Sequence, residues 1–402
     1  MNSKSFIRSR LSILMFLQVF VFGITSPIMS LYLIKCLNFT GSQAGVVLSI
    51  SGITSIISPT IGIFIADKLI SVERLVGICH ILASAFMLIL SFQTGFTAVL
   101  LFYMLYMLVL GCTSSFVTAI VFHHAEDARK SFGGIRMWGS IGWVSAAWIF
   151  SYIWLRGADG PTAFARLGDA LKVSSGVSLL VAFYTFTLPK SHIDVKKGKS
   201  VFPIEALKVI AKPRLILLCI LIFLVSAAYQ YYSFGLAPFL QQSGYRQSDI
   251  MPLMSIGQVS EVIALSLLGF FLARFNYKTI LAWGLVFNLW RFIALSLGSS
   301  VPMVLSGILC HGLYFAFFSI AVSIYFDSQC VAQARSGVQQ IIGIVSSGFG
   351  TFFGNLFAGQ TITRFQTSSS YLGFWLVPAV INVVLLLVLL VFFKEETSLK
   401  EV

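Results

Sequence analysis

One carboxylate in this sequence stands where water should not reach it. Of the 14 Asp and Glu residues, Glu261 alone lies well inside a long apolar segment. Gln258 precedes it by three residues in "SIGQVSEV", which puts both side chains on one face of a helix. An enclosed acid can take up and release a proton, and an amide beside it can hold the hydroxyls or amides of a solute. A second group is written in "GGIRMWGSIGWV", where Arg136, Ser140 and Trp143 fall at i, i+4 and i+7. A cation, a hydroxyl and a broad aromatic plane on one stripe can hydrogen-bond and stack a polar ring. Arg136 also lies about two turns from Lys130, close enough to reach back to a polar boundary instead.

Other polar residues are set in equally apolar surroundings. Arg291, in "NLWRFIAL", is a second enclosed cation. One acid cannot fully neutralise two arginines, so backbone carbonyls or water are its expected partners and its expected role is structural or gating. Gln230 and Ser233, three apart in "AAYQYYSFG", make a polar spot beside Tyr229, Tyr231 and Tyr232. Gln18, Gln339 and Gln340 add uncharged polar groups that can bind a solute or join helices. His311 has the ring suited to handling a proton, and equally to a simple bond with a carbonyl.

Enzyme chemistry finds no footing. There is no phosphate-binding glycine loop, no metal-ligand cluster and no nucleophile with a base at motif spacing. Cys36, Cys79, Cys112, Cys219, Cys310 and Cys330 are scattered, which gives neither a disulfide framework nor a zinc site. No cofactor and no metal are expected.

The elements that must carry these residues follow from composition. Of 402 residues, 57% are hydrophobic and 10% charged, and the mean hydropathy is +0.92. A soluble domain carries roughly 25% charged residues, so this chain lacks the polar surface for water. Its apolar runs are near the ~20 residues that cross a bilayer as a helix, and they lack the alternation of barrel strands. Spans are expected at 11–34, 43–66, 73–94, 97–122, 132–155 and 167–188, then at 214–240, 248–273, 277–298, 301–326, 335–362 and 369–393. The basic N-terminus runs into the first of these without a clear cleavage site, so it is read as a retained membrane helix. The longest polar stretch divides the chain into a six-helix bundle over 1–188, a basic linker over 189–213 and a second six-helix bundle over 214–402.

The formal charge of +13 would suit nucleic acid, but the basic residues occupy short loops between apolar segments, as the positive-inside rule requires. Of the 27 Lys and Arg, 19 fall on the side that holds both termini and the linker. Both termini are therefore expected in the cytoplasm, the partner of the chain is a lipid bilayer, and nucleic acid is excluded.

Twelve helices in two halves joined by a basic loop resemble the major facilitator superfamily, whose halves bind substrate between them near mid-membrane. "ADKLISVER" resembles that superfamily's cytoplasmic gate motif through Asp67, Lys68 and Arg74, although Ile63 stands where the motif has glycine. In that fold the fifth and eighth helices face each other, which would allow Arg136 to pair with Glu261. More closely, "LQVFVFG", "ADKLISVERLVGICH", "FHHAEDARKSFGGIRMWGSIGWV", "MSIGQVSE", "LWRF", "LCHGLYFAFF" and "ARSGVQQ" resemble, in order and spacing, the bacterial nucleoside:proton symporters. The resemblance implies that Arg136, Ser140, Trp143, Gln230, Ser233, Gln258, Glu261, His311 and Phe315 line a nucleoside site, with Glu261 and His311 as candidates for proton coupling. Two positions depart from the family: Ser233 replaces a frequent asparagine, and Ala316 stands where these permeases carry an aspartate. The expected function is nucleoside uptake by proton symport through alternating access in the inner membrane, by a monomer. A carrier of sugars or small organic acids is the alternative, and a non-transporting sensor or scaffold is the rival of another class.

Overall fold

The computed structural model describes residues 3–395 apart from 69, 125–127, 159, 190–203, 332–333 and 366–370; the side chains of Asp67, Lys68 and a few other helical residues also lie outside the described set. Among the described residues there is no strand. A bilayer admits only backbones whose polar groups are satisfied within the segment, and helices do this locally.

Six rods precede the basic linker. They are α1 (Ser3–Thr25), α2 (Gly41–Lys68), α3 (Val72–Leu90), α4 (Phe96–Gly111, resumed as Thr113–His124), α5 (Ala128–Ile149, continued by a π-helical turn Phe150–Leu155) and α6 (Gly160–Phe186). After a short helix at Ile204–Ile210, six more follow: α7 (Pro213–Gln242), α8 (Gln247–Leu272), α9 (Tyr277–Ser296), α10 (Val301–Tyr314), α11 (Arg335–Gly343) and α12 (Leu372–Phe392). α10 passes through a π-helical Phe315–Ile320 to Ala321–Ser328, and α11 through a π-helical Ile344–Gly350 to Thr351–Phe365. Among the described residues the architecture is all-α. Eleven of these helices are long and apolar enough to cross a membrane. Ala128–Leu155 is not among them; even its more apolar second half is diluted by serines, glycines and tryptophans.

The first membrane-length segment runs over Phe6–Cys36, in line with the span expected over 11–34, but it is not one unbroken α-helix. α1 ends at Thr25, and the chain turns before Met29–Leu31 and a π-helical Tyr32–Cys36. Pro27 explains the break, since it has no N–H to donate and its ring crowds the preceding turn.

The chain divides into two compact units, one of Met1–Lys197 with Tyr245–Pro252, the other of Gly198–Gly244 with Leu253–Val402. In the first, α1 packs on α5 and α6, and α3 on α6. Gly142 lets α5 approach α1 closely, for a Cβ there would collide with the carbonyl of Phe16. Buried polar groups tie the helices together: Gln18 Nε2 donates to Thr113 Oγ1 at 2.8 Å, and His80 Nε2 lies 2.7 Å from Gln18 Oε1. Glu261 is not the most enclosed acid in the protein. Glu73, in the first turn of α3, is 2% exposed and lies 3.4 Å from His124 Nε2. It opens a rod, however, and so sits at an end rather than in the apolar middle. In the second unit, an aromatic-rich core joins α7, α9, α10 and α12.

Candidate functional site

The second unit builds its site where α8 and α10 meet. Gly312 allows the two backbones to touch, since a Cβ at this position would overlap the main chain of Ser260 and Glu261. The Gly312 N–H donates to Ser260 Oγ at 3.1 Å, and that hydroxyl donates to the Gly257 carbonyl at 2.8 Å. The contact sets His311, the residue before Gly312, beside Glu261, with His311 Nε2 3.9 Å from Glu261 Oε2. Tyr232 lies nearly parallel to the imidazole at 5.4 Å between centroids, and Tyr229 at 5.6 Å.

Arg291 stands behind this pair. It is fully buried, and its guanidinium lies 4.5 Å from the Tyr232 ring, 4.8 Å from Phe292, 4.9 Å from Tyr314 and 5.5 Å from Tyr229. Such ring faces attract a cation, more strongly when water is absent. Its Nη2 donates to Asn288 Oδ1, and its Nη1 lies 3.4 Å from His311 Nδ1. Where backbone carbonyls were expected as its protein partners, an amide, an imidazole and aromatic faces take their place. Asn288 Nδ2 donates in turn to Asn382 Oδ1 at 2.7 Å, and Asn382 Nδ2 to the Pro378 carbonyl at 2.7 Å.

In front of the pair is a cavity of about 330 Å³, at the small end of the range for ligand sites. Its wall includes Tyr229, Gln230, Gln258, Glu261, His311 and Phe315. The π-helical turns of α10 and α11 contribute Ser319, Ser346 and Ser347. Widened helical turns of this kind recur at functional sites. Gln230 is steadied from α11, donating to Thr351 Oγ1 at 3.2 Å. The site thus offers amides, hydroxyls and one carboxylate for a polar solute, and aromatic faces for a flat one.

The sequence singled out nine lining residues. Gln230, Gln258, Glu261, His311 and Phe315 are brought to this one cavity. Ser233, half-buried in α7, is not on its wall. Arg136, Ser140 and Trp143 lie in the first unit along α5. Arg136 is exposed there rather than enclosed, while Ser140 and Trp143 are half-buried. Of the gate motif, Arg74 is exposed in the first turn of α3; the side chains of Asp67 and Lys68 lie outside the described residues.

A family model described as "Nucleoside H+ symporter" matches residues 6–398. The chain belongs to the nucleoside H+ symporter family. It is therefore a transporter rather than an enzyme, a multi-pass protein of the inner membrane that takes up nucleosides with protons. Among its curated relatives, the xanthosine permease of Escherichia coli is 27% identical over 396 residues, 93% of this chain and 92% of that one. The nucleoside permease NupG of the same organism is 24% identical, covering 96% of both. The crystal structure of NupG superposes with a TM-score of 0.87 at 23% identity, covering 98% of this chain and all of that one. A bacterial homologue of the lysosomal transporter Spinster shares the fold at a TM-score of 0.76 and 14% identity, covering 97% of each chain.

The position at which the resemblance to these symporters places an aspartate is Ala316. Ala316 is fully buried and belongs to the apolar core of the second unit, off the cavity wall. An aspartate at this position would enter that core. Sequence reasoning also passed over Asn288, Asn382, Ser346, Ser347 and Thr351. Asn288 could have been found, because it precedes Arg291 by three residues and so shares its helix face. Asn382, alone in the apolar "VINVV", signals a buried hydrogen bond. Nothing in their spacing shows that the two amides meet.

Proposed function

We propose that nucleoside and proton meet at the cavity of the second unit, with Glu261 as the carboxylate that exchanges the proton and His311 as its immediate neighbour. The observation that carries this reading is that Gln258 and Glu261 share one face of α8 and both open onto the cavity. A charged carboxylate is costly in hydrocarbon and tolerated beside a polar cavity. Taking a proton removes that charge and lowers the cost of closing the site around substrate, which couples the proton to alternating access. Gln230, Gln258 and Glu261 suit ribose hydroxyls and the polar edge of a base; Phe315 suits its flat face. From the first unit, the proposal adds Arg136 and Ser140 as hydrogen-bonding groups and Trp143 as a stacking plane. Ser233 acts one turn away as a support rather than a direct contact.

The wider proposal is a monomer in the bilayer, with two six-helix bundles over 1–188 and 214–402, a basic linker over 189–213 and both termini in the cytoplasm. Asp67, Lys68 and Arg74 form its cytoplasmic gate. Uptake of radiolabelled nucleosides, sugars and small organic acids into proteoliposomes tests the substrate. The expected result is saturable uptake of one or more nucleosides, competed by unlabelled nucleoside. Uptake of a sugar or an organic anion with nucleosides inert would overturn it.

A further inference from the structure

We propose that Arg291, which is not on the cavity wall, is a positioning residue of the coupling site. It holds His311 in the one tautomer that aims an N–H at Glu261, so His311 serves the carboxylate as a fixed donor rather than as a second proton carrier. The inference rests on the reading of Glu261 as the proton site.

The polarity of the chain of bonds is forced from its far end. The Pro378 carbonyl only accepts, so Asn382 presents Nδ2 to it and turns Oδ1 towards Asn288. Asn288 spends Nδ2 on that oxygen and has Oδ1 left for Arg291. A guanidinium only donates, so His311 Nδ1, at 3.4 Å, is the acceptor. The neutral ring must then carry its hydrogen on Nε2, the nitrogen 3.9 Å from Glu261 Oε2. Tyr229 and Tyr232 stack on the ring and fix its plane. Four helices, α12, α9, α10 and α8, thereby set the direction of one N–H.

The same geometry opposes a second proton on His311. It would have to sit on Nδ1, where an N–H of Arg291 already points, bringing two donors and two positive charges together. The groups facing His311 are Arg291 from α9, Glu261 from α8, and Tyr229 and Tyr232 from α7, while Tyr314 on its own helix lies against Arg291. Among them only Glu261 can be an anion near neutral pH. A neutral imidazole therefore stands between an enclosed cation and the carboxylate, while four rings keep Arg291 from withdrawing.

Nitrogen-15 NMR of histidine-labelled wild-type protein reads the tautomer directly, with His311 assigned by its loss in His311→Gln. Nδ1 is expected bare and Nε2 protonated; the reverse pattern would overturn the proposal without any variant having to fold. Transport supplies a second reading, from initial rates of radiolabelled uridine and adenosine uptake between about pH 5 and 8. Glutamine can donate from near the Nε2 position but cannot titrate. His311→Gln should slow uptake several-fold and retain the wild-type shape of the pH profile. Arg291→Gln, by removing the cation that opposes a proton on Nδ1, should add an inflection to the profile, which disappears in the double variant. Loss of pH dependence in His311→Gln, or no new inflection in a folded Arg291→Gln protein, would contradict the inference. If Glu261→Gln remains fully coupled, the reading of Glu261 fails while the tautomer result still stands, so the two failures are separable.

Discussion

At the scale of the residue, the proposed coupling turns on a carboxylate that can shed its charge. Glu261→Gln preserves shape and hydrogen bonding and removes titration. It should abolish nucleoside accumulation driven by a pH gradient while leaving counterflow of labelled for unlabelled nucleoside, and His311→Ala should be milder. Gradient-driven accumulation surviving in Glu261→Gln would remove the residue from the coupling role. The pair Gln258 and Glu261 was legible in the sequence because both lie three apart in one apolar helix, where local spacing alone fixes the shared face. The company of Arg291 was not. Asn382 is 94 positions from Asn288, and its bond depends on how α9 and α12 pack. The enclosure of Glu73 was not legible either: a charge in the first turn of a helix reads as boundary, yet the packing of α3 and α4 encloses it beside His124.

At the scale of the element, the rods were legible and their irregularities were not. Apolar length delimits a membrane helix well, and α10 begins at Val301 as expected. The turn at Pro27 had a local cause that spacing rules could have supplied. The π-helical turns at Phe315–Ile320 and Ile344–Gly350 had none that a hydropathy pattern contains. They widen α10 and α11 where the cavity wall needs hydroxyls, so the element that shapes the site is the least visible in the chain. Gly312 is the converse, a single residue on which two elements depend. Gly312→Leu must push α8 from α10 or fail to pack, with an overpacking cost of about 1–3 kcal/mol. Thermal unfolding in detergent should show a clear loss of stability and uptake should fall with it. A leucine variant of wild-type stability and activity would show that the close approach is not required.

At the scale of the whole molecule, the distribution of charge carries the orientation and the family carries the activity. Because 19 of the 27 Lys and Arg fall on one side of the expected spans, reporter fusions at residue 200 and at the C-terminus should both read cytoplasm, with one near Gly160 on the opposite side. A reversed pattern would sink the orientation proposed. The central claim is that this symporter spends the proton gradient through Glu261, as proposed, although Ala316 is not an acid. Purified protein in liposomes, given a gradient acidic outside, tests it most directly. Labelled nucleoside should rise above its external concentration and fall back when a protonophore collapses the gradient. Uptake that stops at equilibrium with or without the gradient would contradict it.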